Sequence, residues 1–414
     1  MFFPLYIDPG TGSMLFSVVV GAAATVMFAL RILSVKVKFL ISGGKVKNLA
    51  LKRLPFVIFS DHKRYWNVFK PICDEFEKRG VDLVYYTASE DDPVLTASYN
   101  HVHAEYLGAK NRPYARLNML SADVLIATTP GLDVLQWKRS RDVKFYVHIP
   151  HTVDDLAGYR MFALDYYDAV LATGQNQVSL IRKIEGLRPS IAKKEVVITG
   201  SPNLDSMKSK LAALPPRTKN KAAVVLVAPS WGKSGILSRY GSEFLSALAK
   251  TDFNIIVRPH PQTVTSEKDI LEKLMNDFPS SKRFEWNFDN DNFDVLNKAD
   301  ILITDFSGII FDYTLVFDKP LIYADTEFDT LPYDADWLDQ PMWALRVLPE
   351  LGIQLKKDDF KNLESVIKTV LNDTNLKSSR KKIREECWAN IGESAKLIAD
   401  YLIEKQKSLS ELAE

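Results

Sequence analysis

The chain has 414 residues, of which 46% are hydrophobic and 25% are charged, so it has the composition of an ordinary globular protein with room for two or three domains. Its net charge of +1 excludes the broad basic field that nucleic-acid-binding proteins present. The two cysteines, Cys73 and Cys387, lie far apart without metal-site spacing, which argues against a disulfide framework and indicates a reducing compartment.

Residues 13–33 are almost wholly apolar, and their single charge, Arg31, lies near the end. A helix of about 20 residues spans roughly 30 Å, the hydrocarbon thickness of a bilayer. Basic residues follow this stretch as far as Arg53 and none precedes it, so the positive-inside rule places the bulk of the chain in the cytoplasm. The pattern predicts a cell-membrane protein with one N-terminal anchor, residues 1–53. A re-entrant or interfacial helix, or a buried helix of the core, is the alternative.

From residue 54 the pattern changes to short apolar strands that alternate with helices. Strands are predicted at residues 56–60, 82–87, 124–128, 144–148, 169–173 and 196–199. Helices are predicted between several of them, for example at residues 66–79, 155–165 and 176–185. Continuous apolar strands separated by helices indicate a parallel sheet covered on both faces, so residues 54–213 are predicted to form a Rossmann-like domain.

Residues 214–221 are rich in Pro and Lys and predict an interdomain linker. A second alternating series follows, with strands at residues 223–228, 254–258, 283–285, 300–304 and 321–324. Its helices are predicted at residues 238–249, 267–277, 292–298 and 309–317, and two more close the chain at 358–371 and 378–407. The series predicts a second Rossmann-like domain at residues 222–375 and a C-terminal helix at 376–414. Two parallel-sheet domains that face a cleft form the α/β architecture called GT-B.

A polar turn, Asp305-Phe306-Ser307-Gly308, lies between a predicted buried strand and a helix. Open α/β sheets bind anions at such strand ends, because free backbone N–H groups and the helix dipole favour negative charge there. The turn therefore predicts a phosphate site. An ordinary helix N-cap at Asp305 or Ser307 is the alternative.

A second strand end carries Arg258-Pro-His260-Pro. Proline restricts the backbone on both sides of His260, which presents the imidazole rigidly at the end of the strand. Arg258 and His260 are therefore candidates to face an anion, and a turn with an incidental histidine is the alternative.

A third strand end carries His148, His151, Asp154 and Asp155 within eight residues. A histidine near a carboxylate is a candidate general base, because its ordinary pKa is near neutrality. A metal-binding histidine pair is a rival interpretation, but it requires helical spacing and Pro150 argues against a helix there. A solvated loop is the remaining alternative.

The first strand of the second series ends in Pro229-Ser230-Trp231-Gly232-Lys233. Small, hydroxylic and basic residues suit a phosphate, and Trp231 suits a stacked base. The segment is not a Walker motif, so this signal is weak by itself.

Together these motifs resemble those of the CDP-glycerol glycerophosphotransferase family, the teichoic acid primases and polymerases and their capsule relatives. Arg258-Pro-His260-Pro is followed by Thr304-Asp305-Phe306-Ser307-Gly308, Phe311-Asp312-Tyr313 and Lys319-Pro320, in the order and spacing of that family. The resemblance is specific across residues 195–325 and weaker over 54–194.

The resemblance implies a transferase that moves a polyol phosphate from a CDP-activated donor, CDP-glycerol first, to a hydroxyl of a membrane-bound or lipid-linked acceptor, with release of CMP. The product would belong to a teichoic acid or capsule-type polymer of the cell envelope. Residues 54–213 would bind the acceptor and residues 222–375 the donor. By the same analogy His151 is the base, and His260 and Ser307, with the backbone at Gly308, bind the donor pyrophosphate. Further candidates for substrate binding are His148, Asp154, Ser230, Trp231, Lys233, Arg258, Asp305 and Asp312.

Several positions depart from the family pattern. The arginine expected after Trp231 is Gly232, so its phosphate contact is lost unless Lys233 replaces it, and lysine is a point charge rather than a planar fork. The arginine expected in the segment that begins at Gly200 is Asn203. These changes leave the polyol and the acceptor open.

No carboxylate cluster in the sequence demands a metal, so neither a metal nor another cofactor is expected. A GT-B glycosyltransferase that uses a nucleotide sugar is the main alternative function. A tethered binding protein of the same fold, with weakened catalysis, is the other. The oligomeric state does not follow from the sequence.

Overall fold

A computed structural model describes residues 53–134, 137–215, 222–289, 291–325, 327–329 and 337–411. Residues 13–33, where the sequence predicts a membrane helix, and residues 216–221 of the predicted linker lie outside this set. Residues Leu54–Glu414 form one compact unit that contains two parallel sheets. The predicted α/β class with two parallel sheets is therefore confirmed.

The first sheet has seven parallel strands in the order β3-β2-β1-β4-β5-β6-β7. Their bounds are Leu54–Ser60 (β1), Leu83–Thr87 (β2), Val102–Tyr106 (β3), Ala122–Ala127 (β4), Val143–His148 (β5), Ala169–Ala172 (β6) and Glu195–Ile198 (β7). Successive residues of β1 enter different cores, because side chains alternate across a sheet: Ile58 packs on one face and Val57 and Phe59 on the other. Both faces are thus covered, as the apolar strands predict.

Three helices connect these strands, Trp66–Arg79 (α1), Arg112–Leu117 (α2) and Gln175–Leu187 (α3), and a fourth, Pro202–Ala213 (α4), follows β7. Three 3₁₀ turns lie between them, at Lys63–Tyr65, Pro93–Thr96 and Leu156–Gly158. The longest of these four helices, α1, ends at Gly80, whose φ of +65° gives the left-handed cap that glycine adopts without strain.

The second sheet has six parallel strands in the order β10-β9-β8-β11-β12-β13. Their bounds are Val224–Val227 (β8), Asn254–Val257 (β9), Phe284–Trp286 (β10), Ile301–Thr304 (β11), Leu321–Ala324 (β12) and Ile353–Leu355 (β13). The helices around it are Ile236–Arg239 (α5), Gly241–Ala249 (α6), Pro261–Ser266 (α7), Lys268–Asp277 (α8), Phe293–Lys298 (α9), Ile309–Phe311 (α10), Trp343–Arg346 (α11), Leu348–Leu351 (α12) and Leu363–Leu371 (α13). A π turn, Asp312–Val316, continues α10, and a 3₁₀ turn, Lys357–Asn362, precedes α13.

The last two helices, Lys377–Cys387 (α14) and Ser394–Glu411 (α15), join the two sheets. Cys387 packs in the core of the second sheet, whereas Leu402 packs in the core of the first. The crossing passes close to Gly200, where a Cβ atom would lie 2.3 Å from the carbonyl oxygen of Ala389. Glycine is therefore required there for the C-terminal helix to return to the first sheet.

Some predicted elements differ from the structure. The two edge strands β3 and β13 were not predicted, because their short sequences (VHAEY and IQL) carry polar residues and are largely exposed. The helix predicted at residues 155–165 is wrong: a single 3₁₀ turn, Leu156–Gly158, is followed by turns. Asp155 is held by a distant partner, since its carboxylate accepts a hydrogen bond from the backbone N–H of Trp343 at 2.8 Å.

Two predicted helices are each divided in two. The helix predicted at residues 238–249 lies across the junction of α5 and α6, and Gly241 adopts a φ of +34° at that junction. The helix predicted at residues 378–407 is interrupted between Cys387 and Ser394, where the chain crosses from the second sheet to the first.

The predicted cell-membrane location with an N-terminal anchor needs correction. Within residues 53–411, apart from the gaps given above, no helix is both long and apolar enough to cross a membrane. The domain boundaries at 53/54, 213/222 and 375/376 stay predictions.

Candidate active site

A cleft of about 340 Å³ lies where the carboxyl ends of strands from both sheets face each other. The segments after β1, β5 and β7 contribute Arg64, Tyr65, Asn67, Val68, His151 and Asn203. The second sheet contributes Ala228, Pro229, Arg258, Pro259, His260, Pro261, Asn292, Ser307, Gly308, Ile309 and Asp312. Ligands of open α/β folds bind at such strand ends, so this cleft is the candidate active site.

The cleft brings together six of the residues that the sequence singled out: His151, Arg258, His260, Ser307, Gly308 and Asp312. The other six do not line it: His148, Asp154, Ser230, Trp231, Lys233 and Asp305. Their predicted roles in substrate binding stay predictions, and their surroundings are described below.

His260 is the N-cap residue of α7, and its Nδ1 atom accepts a hydrogen bond from the backbone N–H of Gln262 at 3.1 Å. Burial lowers the pKa of His260, with a further lowering by the positive charge of Arg64. The imidazole is therefore neutral at pH 7, and with Nδ1 as an acceptor its proton resides on Nε2. His260 can donate a hydrogen bond to an anion through Nε2.

Arg258 reaches away from the cleft although it lies on its wall. Its guanidinium donates to the side-chain oxygen of Asn287 and, at 2.8 Å, to the carbonyl oxygen of Asp289. These bonds tie Arg258 to the segment that follows β10. The guanidinium fork is thus already engaged.

Asp305 is a buried acceptor that organises the loop after β8. Its Oδ1 accepts from the backbone N–H of Ser230 at 2.9 Å and from the Ser230 hydroxyl at 2.8 Å, and its Oδ2 accepts from the N–H of Ile236 at 3.0 Å. Burial raises the pKa of Asp305, and the hydrogen bonds from Ser230 and Ile236 oppose this rise. Asp305 therefore acts on the loop rather than on the cleft.

Ser307 and Gly308 form the lip of the cleft after β11. A Cβ atom placed on Gly308 would meet no atom within 4 Å, so its backbone faces open space. The helix that follows is shorter than predicted, since α10 has three residues before the π turn Asp312–Val316. A π turn within a helix is frequent at functional sites.

The π turn begins with Asp312, whose carboxylate accepts a hydrogen bond from the side-chain amide of Asn292 at 3.0 Å. Burial raises the pKa of Asp312 to about 6. The cleft thus contains a carboxyl group that can gain a proton in mildly acidic conditions.

Two histidines of the first sheet lie in different surroundings. His148, the last residue of β5, is completely buried and packs edge-on against Tyr159 and Tyr167, at 5.6 and 5.0 Å between ring centroids. Among the described residues neither of its ring nitrogens has a hydrogen-bond partner, and burial lowers the pKa of His148 to about 3. His148 is therefore a neutral core residue.

His151 reaches the cleft instead. Its Nδ1 lies 3.2 Å from the hydroxyl of Tyr159, and its ring centroid lies 4.9 Å from that of Tyr65. Burial, with the charge of Arg64, lowers the pKa of His151 to about 4. The imidazole is neutral at pH 7, the form that a general base requires.

The remaining candidates lie outside the lining. Trp231 is 45% exposed, and Lys233 is exposed beside it. The intervening Gly232 has a φ of +92°, and its N–H donates to the carboxylate of Glu267 at 2.9 Å. Burial, together with the charge of Asp155, raises the pKa of Asp154 to about 7.

Sequence reasoning missed four polar or aromatic residues of the lining: Arg64, Tyr65, Asn67 and Asn292. A signal existed for Arg64, because the polar run that begins at Ser60 follows a buried strand. The amides of Asn67 and Asn292 carry no such pattern. Among the described residues no group of three or more His, Cys, Asp or Glu is placed to hold a metal ion, and metal independence stays a prediction.

Comparison with known proteins supports the motif analysis. The family model described as CDP-glycerol:poly(glycerophosphate) glycerophosphotransferase matches residues 179–337. No curated protein matches the sequence significantly.

Several solved structures share the fold. A variant of the wall teichoic acid polymerase TagF soaked with CDPG is 15% identical, with a TM-score of 0.55, over 85% of this chain and 89% of that chain. The S. aureus MnaA–UDP structure is 14% identical, with a TM-score of 0.56, over 86% and 97%. A putative UDP-N-acetylglucosamine 2-epimerase from Listeria monocytogenes is 13% identical, with a TM-score of 0.53, over 84% and 94%. The fold is thus GT-B-like, and the resemblance to the CDP-glycerol glycerophosphotransferase family is confirmed, with the family match on residues 179–337.

Proposed function

We propose that the protein transfers a polyol phosphate, with glycerol phosphate as the first candidate, from a CDP-activated donor to a hydroxyl of a lipid-linked acceptor. The transfer releases CMP and extends or primes a teichoic acid or capsule-type polymer of the cell envelope. The observation that carries the proposal is the placement of His260, Ser307 and Gly308 on one wall of the cleft and His151 on the other.

The reaction joins the acceptor oxygen to the β-phosphorus of the donor. As this bond forms, the bond from the β-phosphorus to the bridging oxygen breaks, and CMP leaves with that oxygen. The acceptor proton passes to Nε2 of His151. For this step His151 donates its Nδ1–H to the hydroxyl oxygen of Tyr159, which lies 3.2 Å away, and keeps a lone pair on Nε2. A histidine base typically increases the reaction rate about a hundredfold to ten-thousandfold.

The second domain stabilises the phosphates through hydrogen bonds. The neutral His260 donates its Nε2–H, while Ser307 donates its hydroxyl and the backbone at Gly308 is open to the cleft. Preformed donors of this kind stabilise the charge that develops on the transferring phosphoryl group and on CMP. They require no metal ion in this proposal.

The test incubates the protein with a lipid-linked acceptor and one donor at a time. The donors are CDP-glycerol, CDP-ribitol and UDP-N-acetylglucosamine, and free CMP and UDP are measured. Acceptor-dependent release of CMP is the expected result. Release of UDP alone would replace the proposal by a nucleotide-sugar transferase. Binding of CDP ligands without turnover, across a range of acceptors, would favour a protein with lost catalysis. His260→Ala is expected to abolish CMP release.

A further inference from the structure

The described lining of the cleft contains two cationic side chains, Arg64 and Arg258. Arg258 already donates to Asn287 and to the carbonyl of Asp289. Arg64 differs, because among the described residues its guanidinium contacts Tyr65 but bonds to no carboxylate or backbone carbonyl, and it is exposed to the cleft. A diphosphate in this cleft would therefore find one guanidinium that is not tied to the backbone.

The backbone holds Arg64 in a defined place. It belongs to the 3₁₀ turn Lys63–Tyr65 immediately after β1, and its N–H donates to Nδ1 of His62 at 3.1 Å. Its guanidinium carbon lies 4.8 Å from the centroid of the Tyr65 ring, which is buried. A guanidinium that stacks on an aromatic face keeps its edge free to form hydrogen bonds.

The charge of Arg64 acts on both walls of the cleft. It is the second cause, after burial, of the lowered pKa of His151 in the first domain and of His260 in the second. Arg64 therefore lies close to the two histidines between which the donor phosphates would bind.

The sequence left Lys233 as the candidate cation for the donor phosphate. In the structure Lys233 is exposed and does not line the cleft, and the N–H of its neighbour Gly232 is bound to Glu267. The second sheet thus supplies the neutral donors His260 and Ser307 and the already bonded Arg258, and the guanidinium that is not tied to the backbone comes from Arg64.

We propose that Arg64 binds the diphosphate of the donor, opposite His260 and Ser307, so that both domains hold the nucleotide. The inference rests on the proposed function for the identity of the nucleotide. Because the leaving CMP gains negative charge as the phosphorus–oxygen bond breaks, Arg64 also stabilises the transition state more than the bound donor.

The test compares the wild type with Arg64→Gln, Arg64→Lys and Lys233→Gln, which removes the rival cation, with CDP, CMP and UDP as ligands in titration calorimetry. Arg64→Gln keeps the backbone N–H that binds His62, and circular dichroism checks that it folds. Because a charge-assisted hydrogen bond is lost, Arg64→Gln is expected to bind CDP about tenfold to a hundredfold more weakly than the wild type. Its affinity for CMP should fall less, because CMP lacks the β-phosphate. Arg64→Lys should lose only part of the affinity, and Lys233→Gln should bind within about twofold of the wild type, as exposed charges contribute little.

Unchanged binding of CDP by Arg64→Gln would overturn the inference, and so would an equal loss for CDP and CMP. A loss in Lys233→Gln without a loss in Arg64→Gln would assign the phosphate contact to Lys233. If the wild type binds UDP but not CDP, the proposed function fails, while the Arg64 inference is decided by the same variants with UDP. A wild type that binds neither nucleotide overturns both.

Discussion

The Nδ1 atom of His260 accepts a hydrogen bond from the backbone N–H of Gln262, and this contact decides which ring nitrogen can bind a substrate. One ring nitrogen caps α7, so only Nε2 is available to the cleft. The same side chain therefore has a structural role through Nδ1 and a proposed role in phosphate binding through Nε2.

Replacing His260 by Asn or Gln should separate the two roles. Asn places an oxygen near the position of Nδ1 and keeps the cap, so His260→Asn is expected to unfold at the wild-type urea concentration but to lose CMP release. His260→Gln loses the cap and should cost about 1 kcal/mol, typical of a lost N-cap. Urea unfolding and a CMP-release assay measure these effects. Normal turnover in His260→Asn would remove Nε2 from the mechanism.

Asp305 is expected to control stability rather than chemistry. Asp305→Ala would leave the N–H groups of Ser230 and Ile236 without their acceptor, in a site where Asp305 is 1% exposed. Each unsatisfied buried donor costs about 1–3 kcal/mol, so the free energy of unfolding should fall by roughly 3 kcal/mol or more. The control Ser230→Ala removes one hydroxyl bond and should cost about 1 kcal/mol. If Asp305→Ala unfolds like the wild type yet loses CDP binding, Asp305 contacts the nucleotide.

His148 should make the fold sensitive to acid. Its pKa is about 3 in the folded state because of burial, whereas an unfolded histidine has a pKa of about 6.5, so protons bind to the unfolded chain first as the pH falls below 6.5. Between pH 7.5 and 4.5 this linkage removes about 2–3 kcal/mol of stability. In His148→Phe that part of the loss should disappear.

Urea unfolding at several pH values measures how steeply the free energy of unfolding changes with pH. This slope is compared for the wild type, for His148→Phe and for the control His103→Gln, which replaces an exposed histidine on β3. The control should retain the wild-type slope. An unchanged slope in His148→Phe would mean that His148 becomes protonated in the folded state.

Asp312 should make donor binding depend on pH. With a pKa raised by burial to about 6, its carboxyl is charged at pH 7.5 and repels a diphosphate, and below pH 6 it gains a proton. The diphosphate diester of CDP-glycerol does not titrate in this range, so its affinity should rise about threefold to tenfold between pH 7.5 and 5.5. Asp312→Asn should bind CDP-glycerol tightly at pH 7.5 and show a weaker pH dependence.

Calorimetry at pH 7.5 and 5.5 measures the affinity of the wild type and of Asp312→Asn for CDP-glycerol. His260 also gains protons as the pH falls, and its contribution remains in the variant. Weaker binding by Asp312→Asn at every pH would indicate instead that the carboxylate contacts the polyol.

The sequence predicted the central strands well, for a physical reason. Strands such as β1, β4 and β11 are buried on both faces and therefore appear as continuous apolar runs. The edge strands β3 and β13 lack this signal. Residues 155–165 have an apolar pattern that suits a helix, but the contact of Asp155 with Trp343, far away in the sequence, decides their structure.

The site was predictable where it coincided with strand ends. That rule located His260, Ser307 and His151, but it did not decide between His148 and His151. The register of β5 decides: His148 still pairs with Ala127 inside the sheet, and His151 follows it on the way to the cleft. Arg64 was missed because it follows a strand of the other sheet, and only the packing of the two sheets places it in the same cleft as His260.

Thermal unfolding with added ligands identifies the donor nucleotide without the need for an acceptor. A ligand at a hundred times its dissociation constant adds about 2.7 kcal/mol to the free energy of unfolding. We expect CDP-glycerol and CDP to raise the Tm of the full chain, and UDP and UDP-N-acetylglucosamine to leave it unchanged. A rise with UDP-N-acetylglucosamine and none with CDP-glycerol would exclude CDP-glycerol as the donor.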